Sequence, residues 1–321
     1  MNRARQTAQP VVAPKARHRT RPPSRGVVIC DLDGTLARRH QPVGPRVAVA
    51  LAAVAGAGWR ICILSGQSLS NLKPRLVSVL KFLGRVPGAL EDLSVLTCEG
   101  ANEWRLNGPQ WLRLPDATGV KGHVSRDDQE GVILLMRSKL NEILPRGVRL
   151  LQPPMWLEEA MCIMKVDARL GQRRLLADRL EAIFRRHGLT SLRVGLGGTF
   201  SIVITHHRTH KGTVLEQIVK TLGPCERAIY LADEFAVPGN DVAALSVRKL
   251  IRIDFGRSQC PASQLVSDGG GTGPRAVVGW LRRLARSSSH SVFPAAAVIQ
   301  STPQAGFRHP KNRELNKTPS K

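Results

Sequence analysis

A chain of 321 residues, 42% hydrophobic but only 4% aromatic, can bury a sizeable aliphatic core in one large domain or two. Its formal charge of +24 is concentrated at the ends: residues 1–25 hold seven Lys or Arg and no acid, and residues 256–321 hold ten against two. Six cysteines without a CxxC pair or metal-ligand spacing argue against a disulfide scaffold or a zinc module, and no stretch nears the ~20 apolar residues of a membrane span.

The segment 1–25 is Arg-rich and acid-free, as organellar transit peptides are, but Pro10, Pro14, Pro22 and Pro23 break an amphipathic helix and leave targeting open. It reads as a solvated, disordered extension. A basic tail can also hold nucleic acid by counterion release. With no interleaved aromatics and no recognisable motif, that partner is not favoured. The first strong signal is GVVICDLDGTL, residues 26–36, where a β-branched run ends in two carboxylates and a glycine. That pattern predicts a buried strand delivering acids at its C-terminal tip. An Ala-rich helix over 44–56, a strand in WRICILSG (59–66), a helix from Leu69 to about Leu83 and a third strand in SVLTCEGA (94–101) follow. Near-continuous apolar strands alternating with helices predict a parallel sheet covered on both faces, a doubly wound α/β core. Ligands of such sheets bind beyond the carboxyl ends of the strands.

The middle of the chain has a different rhythm. A helix over 127–144, a strand in AMCIMKVDARL (160–170), a charged helix over 171–187 and a hairpin over 192–207, turning at Gly195 to Gly198, predict an α+β insert. The core pattern then resumes with a helix near Lys211, strands at 228–234, 250–255 and 263–268, and a closing helix over 274–286. The expected division is a core of 26–105 and 208–286, an inserted domain of 106–207, and a disordered tail of 287–321. Cys30, Cys62, Cys98 and Cys162 lie inside apolar runs, where free thiols act as small hydrophobes. That usage suits a reducing compartment such as the cytoplasm.

The chemistry concentrates at strand ends. Of Asp31 and Asp33, one carboxylate can attack phosphorus and form an aspartyl-phosphate, while the other protonates a leaving oxygen and then activates water. Gly34 lets the backbone approach a phosphate whose oxygens turn N–H groups can bind, with Thr35 beside it. By itself DLDGT equally fits an Asp-Gly turn with solvated acids.

In company it does not stand alone, and the chain resembles the haloacid dehalogenase-like hydrolases. Their four motifs are matched in order by DLDGT, by ILSG with Ser65 and Gly66, by Lys211 in HKGTVL, and by LADEFAVPGND with Asp233 and Asp241. The resemblance implies Asp31 as nucleophile, Asp33 as acid/base, and Gly34, Thr35, Ser65, Gly66 and Lys211 as phosphate-binding residues. It also implies Mg²⁺ held by Asp31, Asp33 (through its carbonyl), Asp233 and Asp241. These hard oxygen donors suit that ion. The insert between the second and third motifs resembles the branch with an α/β cap, which includes Cof-type phosphatases, sucrose- and trehalose-phosphate phosphatases and phosphomannomutases. CEGA (98–101) stands where that branch commonly has Asn-Gly. Three features depart from the pattern: Ala232 precedes Asp233 where Gly is usual, Gln67 stands where many relatives have Arg, and Asp233 and Asp241 are eight apart. The last leaves open which of Asp233, Glu234 and Asp241 touches the metal.

The implied activity is Mg²⁺-dependent hydrolysis of a small phosphorylated metabolite, a sugar or polyol phosphate, through phospho-Asp31. A phosphomannomutase-like mutase is the alternative, and a non-catalytic protein tethered to nucleic acid by its basic tails is a further one. In the insert, Lys165, Asp167 and Arg193 are within the segments that could reach the cleft, though each also reads as a solvated charge. His206, His207 and His210 read as a solvated loop at the domain hinge.

Overall fold

The structure, a computed structural model, describes residues 24–115, 122–197, 200–235, 241–256 and 271–287. The strand expected at 263–268 and nearly all of both tails lie outside the described residues. In chain order the elements are β1 (Gly26–Asp31), α1 (Pro45–Gly56), β2 (Arg60–Leu64), α2 (Leu69–Leu72), α3 (Val77–Leu83), β3 (Ser94–Thr97), β4 (Asn102–Asn107) and β5 (Gln110–Leu114). They continue with α4 (Arg126–Ile143), β6 (Arg149–Glu158), β7 (Met161–Asp167), α5 (Leu170–Arg186), β8 (Leu192–Gly197) and β9 (Ser201–His206). The chain then returns through α6 (Lys211–Lys220), β10 (Arg227–Ala232), β11 (Leu250–Asp254) and α7 (Gly273–Ser287).

Seven strands form the large sheet in the order β11-β10-β1-β2-β3-β4-β5. The first five in that order are parallel, as the apolar runs require, and they are covered on both faces. Alternate residues of β1 serve the two layers. Val28 and Cys30 pack with α1, α3 and α7, while Val27 and Ile29 pack with Val214 and Leu215 of α6. β1 lies central in the sheet, with all six of its residues buried, so the acid at its C-terminal end is delivered from the interior.

The other sheet has the order β6-β7-β9-β8, is wholly antiparallel, and packs α4 and α5 against one face. Ser125 caps α4 by accepting from the Asp128 amide at 2.9 Å, with Asp127 and Asp128 in the first turn favouring the helix dipole. Ala160 and Met161, at the β6–β7 turn, pack on Cys98 and Ala101 of the large layer.

Several expectations change. The helix expected over 69–83 is broken by a 3-10 turn, Lys73–Arg75, because Pro74 has no N–H to continue the helical ladder. The third strand ends at Thr97, and Cys98, Glu99 and Gly100 turn through positive φ values of 53, 59 and 93°. β8 runs straight through Gly195 to Gly197, so the hairpin turns later than expected. The antiparallel β4–β5 hairpin and the strand β6 were not expected at all. β4 and β5 extend the large sheet to Leu114, and the expected boundary at 105/106 falls inside β4.

Candidate active site

β1 ends in Asp31, 7% exposed, and the first residue of α6 is Lys211, 1% exposed. The Lys211 ammonium donates to Asp31 Oδ1 and to Asp241 Oδ1, each at 2.7 Å. Asp241 is fully enclosed and also accepts from the Tyr230 hydroxyl at 2.5 Å and, through Oδ2, from the Glu234 amide at 3.2 Å. One buried cation therefore bridges two carboxylates across the end of the sheet. Burial works against the charge of Lys211, but Asp241 and Asp31 overcome it and hold its pKa well above the ordinary lysine value.

Two residues on, the chain leaves the sheet. Gly34 adopts φ 87°, its amide bonds the Ala37 carbonyl at 2.8 Å, and a Cβ there would lie 2.0 Å from Asp233 Oδ2. Only glycine fits this turn, and its absent side chain lets the Asp233 carboxylate approach the β1 loop. Asp33 is gripped by a fork: Arg75 donates Nη2 to Oδ1 at 2.6 Å and Nη1 to Oδ2 at 3.1 Å. Gln67 Nε2 adds a bond to Oδ2 at 2.5 Å, and the His40 amide adds one to Oδ1 at 3.0 Å. Partial burial would raise the Asp33 pKa, but the Arg75 guanidinium and then the His40 amide pull it below the ordinary value. The charge that Gln67 cannot supply is thus supplied by Arg75, through the break at Pro74. Ser65 is buried at the end of β2, its amide on the Leu96 carbonyl at 2.9 Å and its Oγ accepting from the Gln67 amide at 3.2 Å. Gly66 follows it.

Asp31, Asp33, Ser65, Gly66, Lys211 and Asp233 all gather at the carboxyl ends of β1, β2 and β10, the place the parallel pattern predicts. Two expected residues occupy different posts. Thr35 is fully buried and its hydroxyl donates to Asp233 Oδ1 at 3.2 Å, so it positions that carboxylate. Asp241, expected among the metal ligands, has both oxygens taken by protein donors and sits behind Lys211.

The acids crowd one another. Burial raises the Asp31 pKa well above the usual carboxylate range, Lys211 opposes that, and Asp241 and Asp233 add to it. Burial, then Asp241 and Glu234, push Asp233 up to about 7. Among the described residues no three His, Cys, Asp or Glu side chains form a metal cluster. Mg²⁺ needs fewer: one or two carboxylates, with a carbonyl, waters and substrate phosphate completing its octahedron. Asp31 and Asp233, mutually repelling oxygen donors beside the Gly34 turn, fit such an ion.

Arg75, Gln67, Tyr230 and Glu99 went unread as site residues. Tyr230 had one signal, being the sole tyrosine of the chain and standing in the strand that leads to Asp233. Of the insert candidates, Asp167 pairs with Arg149 at 2.9 Å in an exposed position, Lys165 lies half-buried on β7, and Arg193 is an exposed electrostatic neighbour of Glu99 and His210. His206 and His207 stack with centroids 4.5 Å apart, while His210 caps α6 by accepting from the Thr213 amide at 3.3 Å.

No family model matches the sequence, and no curated protein matches it either. Solved structures do. An N-terminally truncated, IMP-bound IMP-nucleotidase of Plasmodium falciparum superposes with TM-score 0.60 at 13% identity, over 82% of this chain and 68% of that one. A trehalose-6-phosphate phosphatase of Aspergillus fumigatus superposes with TM-score 0.51 at 16% identity, over 82% of this chain and 94% of that one. The architecture is therefore that of the haloacid dehalogenase-like fold, a doubly wound core with an inserted α+β cap. At these identities the likeness is one of fold, and the functional reading rests on the residues. No described helix is long and apolar enough to cross a membrane.

Proposed function

We propose that this protein is a phosphatase that hydrolyses small phosphomonoesters, sugar or polyol phosphates among them, through an aspartyl-phosphate on Asp31. The observation that carries the reading is the buried Lys211 ammonium held 2.7 Å from both Asp31 and Asp241 at the tip of β1. That cation opposes the rise that burial imposes on the Asp31 pKa, favouring the ionised nucleophile, and screens it from an incoming phosphate dianion, as phosphoryl transfer requires. Ser65 and the backbone of Gly66 offer donors to the phosphoryl oxygens, while the Gly34 amide, expected among them, is taken by the Ala37 carbonyl. In this reading Asp241 and Tyr230 fix Lys211, and Thr35 fixes Asp233. Asp31, Asp233 and the Asp33 carbonyl would hold Mg²⁺, which when bound supplies neutralising charge at the transferring phosphoryl group.

Asp33 has two tasks that its surroundings separate. Gripped by Arg75 it is an ionised acceptor, suited to taking a proton from the water that attacks phospho-Asp31. Donating a proton to the leaving oxygen requires Arg75 and Gln67 to loosen their hold. The insert from α4 (Arg126–Ile143) to β9 (Ser201–His206) acts as the cap that encloses substrate and excludes bulk water during the reaction. Similarity in fold to a nucleotidase and a trehalose-phosphate phosphatase supports the reading, since both names describe removal of phosphate from an alcohol.

The test is a panel of phosphorylated metabolites, with p-nitrophenyl phosphate as a generic ester, assayed for free phosphate with Mg²⁺. The wild-type protein should release phosphate and Asp31→Asn should not. Equal release by both, or interconversion of hexose phosphates without net phosphate, would sink the proposal.

A further inference from the structure

Asp31, Asp33, Asp233 and Asp241 each accept hydrogen bonds from protein donors. A fifth carboxyl in the same region does not. Glu99 is only 8% exposed, yet its side chain accepts no hydrogen bond from any described residue. Its backbone is also unusual, lying in the left-handed region at φ 59° directly after Cys98 at 53° and before Gly100 at 93°. Non-glycine residues are uncommon there, and two in succession more so. Backbone bonds hold the turn in place: the Cys98 amide donates to the Gln67 carbonyl at 3.0 Å and the Glu99 amide to the Ser65 carbonyl at 3.1 Å.

The effect is to lay the Glu99 carboxyl on the loop that carries Ser65. A Cβ added at Gly66 would meet Glu99 Oε1 at 2.4 Å. Lys211, Asp241, the cap residue Arg193 and Glu234 are its electrostatic neighbours. On the flank, Cys98 and Ala101 pack against Ala160 and Met161 of the cap. Glu99 thus stands at the seam between the Ser65–Gly66 loop and the cap. The carboxyl oxygens are not among the fully enclosed unpaired side-chain atoms, so they are open to a donor brought by a ligand. The strained backbone that holds them there is the kind of cost retained at ligand-binding places.

We propose that Glu99 is a specificity-determining residue that accepts hydrogen bonds from hydroxyl groups on the alcohol portion of the phosphate ester. It thereby selects hydroxyl-rich monoesters and disfavours esters with a second anion at that place. An ammonium group is the poorer match, since it would bring another cation against Lys211 and Arg193, whereas a hydroxyl donates without charge. A second phosphate would meet a carboxyl with nothing to donate in its ionised form. This inference rests on the phosphatase reading.

The test compares kcat/KM for mannitol 1-phosphate, glucose 6-phosphate, glucosamine 6-phosphate, fructose 1,6-bisphosphate and p-nitrophenyl phosphate in wild type, Glu99→Gln and Glu99→Asn. Asparagine takes the left-handed conformation more readily than glutamate, so the second variant retains the turn, and thermal melts check that both fold. The wild-type protein should favour a hydroxyl-rich monoester over the aryl ester and the bisphosphate. In both variants the ratio of kcat/KM between that monoester and p-nitrophenyl phosphate should fall about tenfold, chiefly through KM. Discrimination against the bisphosphate should narrow. An unchanged ratio, with all esters slowed alike, would mean that the turn merely supports the Ser65 loop, and would overturn the proposal. So would a wild-type preference for the amino sugar ester that the variants lose. Absence of phosphate release from every ester, p-nitrophenyl phosphate included, overturns the phosphatase reading and this inference with it. Release from the aryl ester alone overturns only the inference.

Discussion

Asp31 and Asp33 stand two residues apart in one motif, yet the fold gives them opposite surroundings. Asp31 closes a fully buried strand and shares a lysine with a second carboxylate that no water reaches. Asp33 lies on a half-buried turn, held by the fork of an arginine from a different loop. A point charge suits the first place, because one ammonium must serve two acids in different directions. A planar guanidinium suits the second, because it matches both oxygens of a single carboxylate. The difference separates a permanent charge arrangement from a grip that can be released, which is the distinction the proposed phosphatase needs between a nucleophile and a residue that must both give and take a proton.

The sharpest way to break this comparison is to remove each carboxylate in turn. Asp31→Asn should lower turnover at least about a thousandfold and leave no phosphate bound covalently to the protein. Asp33→Asn should still become phosphorylated by p-nitrophenyl phosphate, whose leaving group needs no acid, and then hydrolyse the intermediate about a hundredfold more slowly. Rapid-quench labelling distinguishes them, and labelling of the Asp31→Asn protein at the same site would remove the basis of the comparison. Replacing the cations comes next. Lys211→Met leaves Asp31, Asp241 and Tyr230 around an uncompensated buried charge and should cost about 3–5 kcal/mol of stability. Adding Asp241→Asn should restore part of that loss, since the two sites share one bonded group. Denaturant melts that showed simple additivity would deny the bridge.

The core of this contrast could be read from the residues alone. Apolar runs such as VVIC, RICIL and AIYL, each ending in polar residues, specify parallel strands and fix which end holds the chemistry. Lys211 is legible only through the resemblance of HKGTVL to a family motif, since by itself it reads as a solvated lysine. The partners were not. Arg75 lies in a stretch whose apolar spacing reads as one helix; Pro74 marks a break there, but which side chain the break turns toward Asp33 is set by the tertiary surroundings of that turn. Asp241 was placed on the metal because sequence spacing carries no information on which oxygen faces which donor, and its burial behind Lys211 emerges only when β10 and α6 pack. The β4–β5 hairpin carried its Asn107-Gly108 turn signal, but its strands are half polar and sit at the sheet edge, where the apolar pattern is weakest.

A smaller effect is expected from Arg75. Arg75→Ala should reduce kcat/KM about tenfold and move the acidic limb of its pH profile upward, because the Asp33 pKa, now depressed by the fork, would rise. The depressed carboxylate contributes stability that is present above its unfolded pKa and lost as pH falls through the folded value. Wild type and variant should therefore differ by about 1 kcal/mol at pH 7, less than for a fully buried pair since Asp33 is partly solvated, and converge in acid. Equal stability at pH 7 with an unmoved pH profile would leave the grip without a role.

The smallest effect tests the far side of the Asp31 site, where the sign is reversed. Asp233, pushed up to about 7, keeps its proton in the folded protein at pH values where the unfolded chain has lost it. Its contribution is therefore complete below its unfolded pKa and disappears as pH rises through about 7, so the metal-free protein should lose stability between pH 5 and pH 8. In the proposed reading Mg²⁺ would bind the ionised carboxylate and oppose that loss. Added Mg²⁺ should raise the melting temperature by roughly 1–2 °C at pH 8, about 1 kcal/mol for a chain of this size, and by less at pH 5.5. Chelator should reverse it, and Asp233→Asn should abolish both the pH slope from this group and the response to Mg²⁺. An Asp233→Asn protein that still gains stability from Mg²⁺ at pH 8 would show that the ion is held elsewhere. The acids around Lys211 would then form a charge network complete without it.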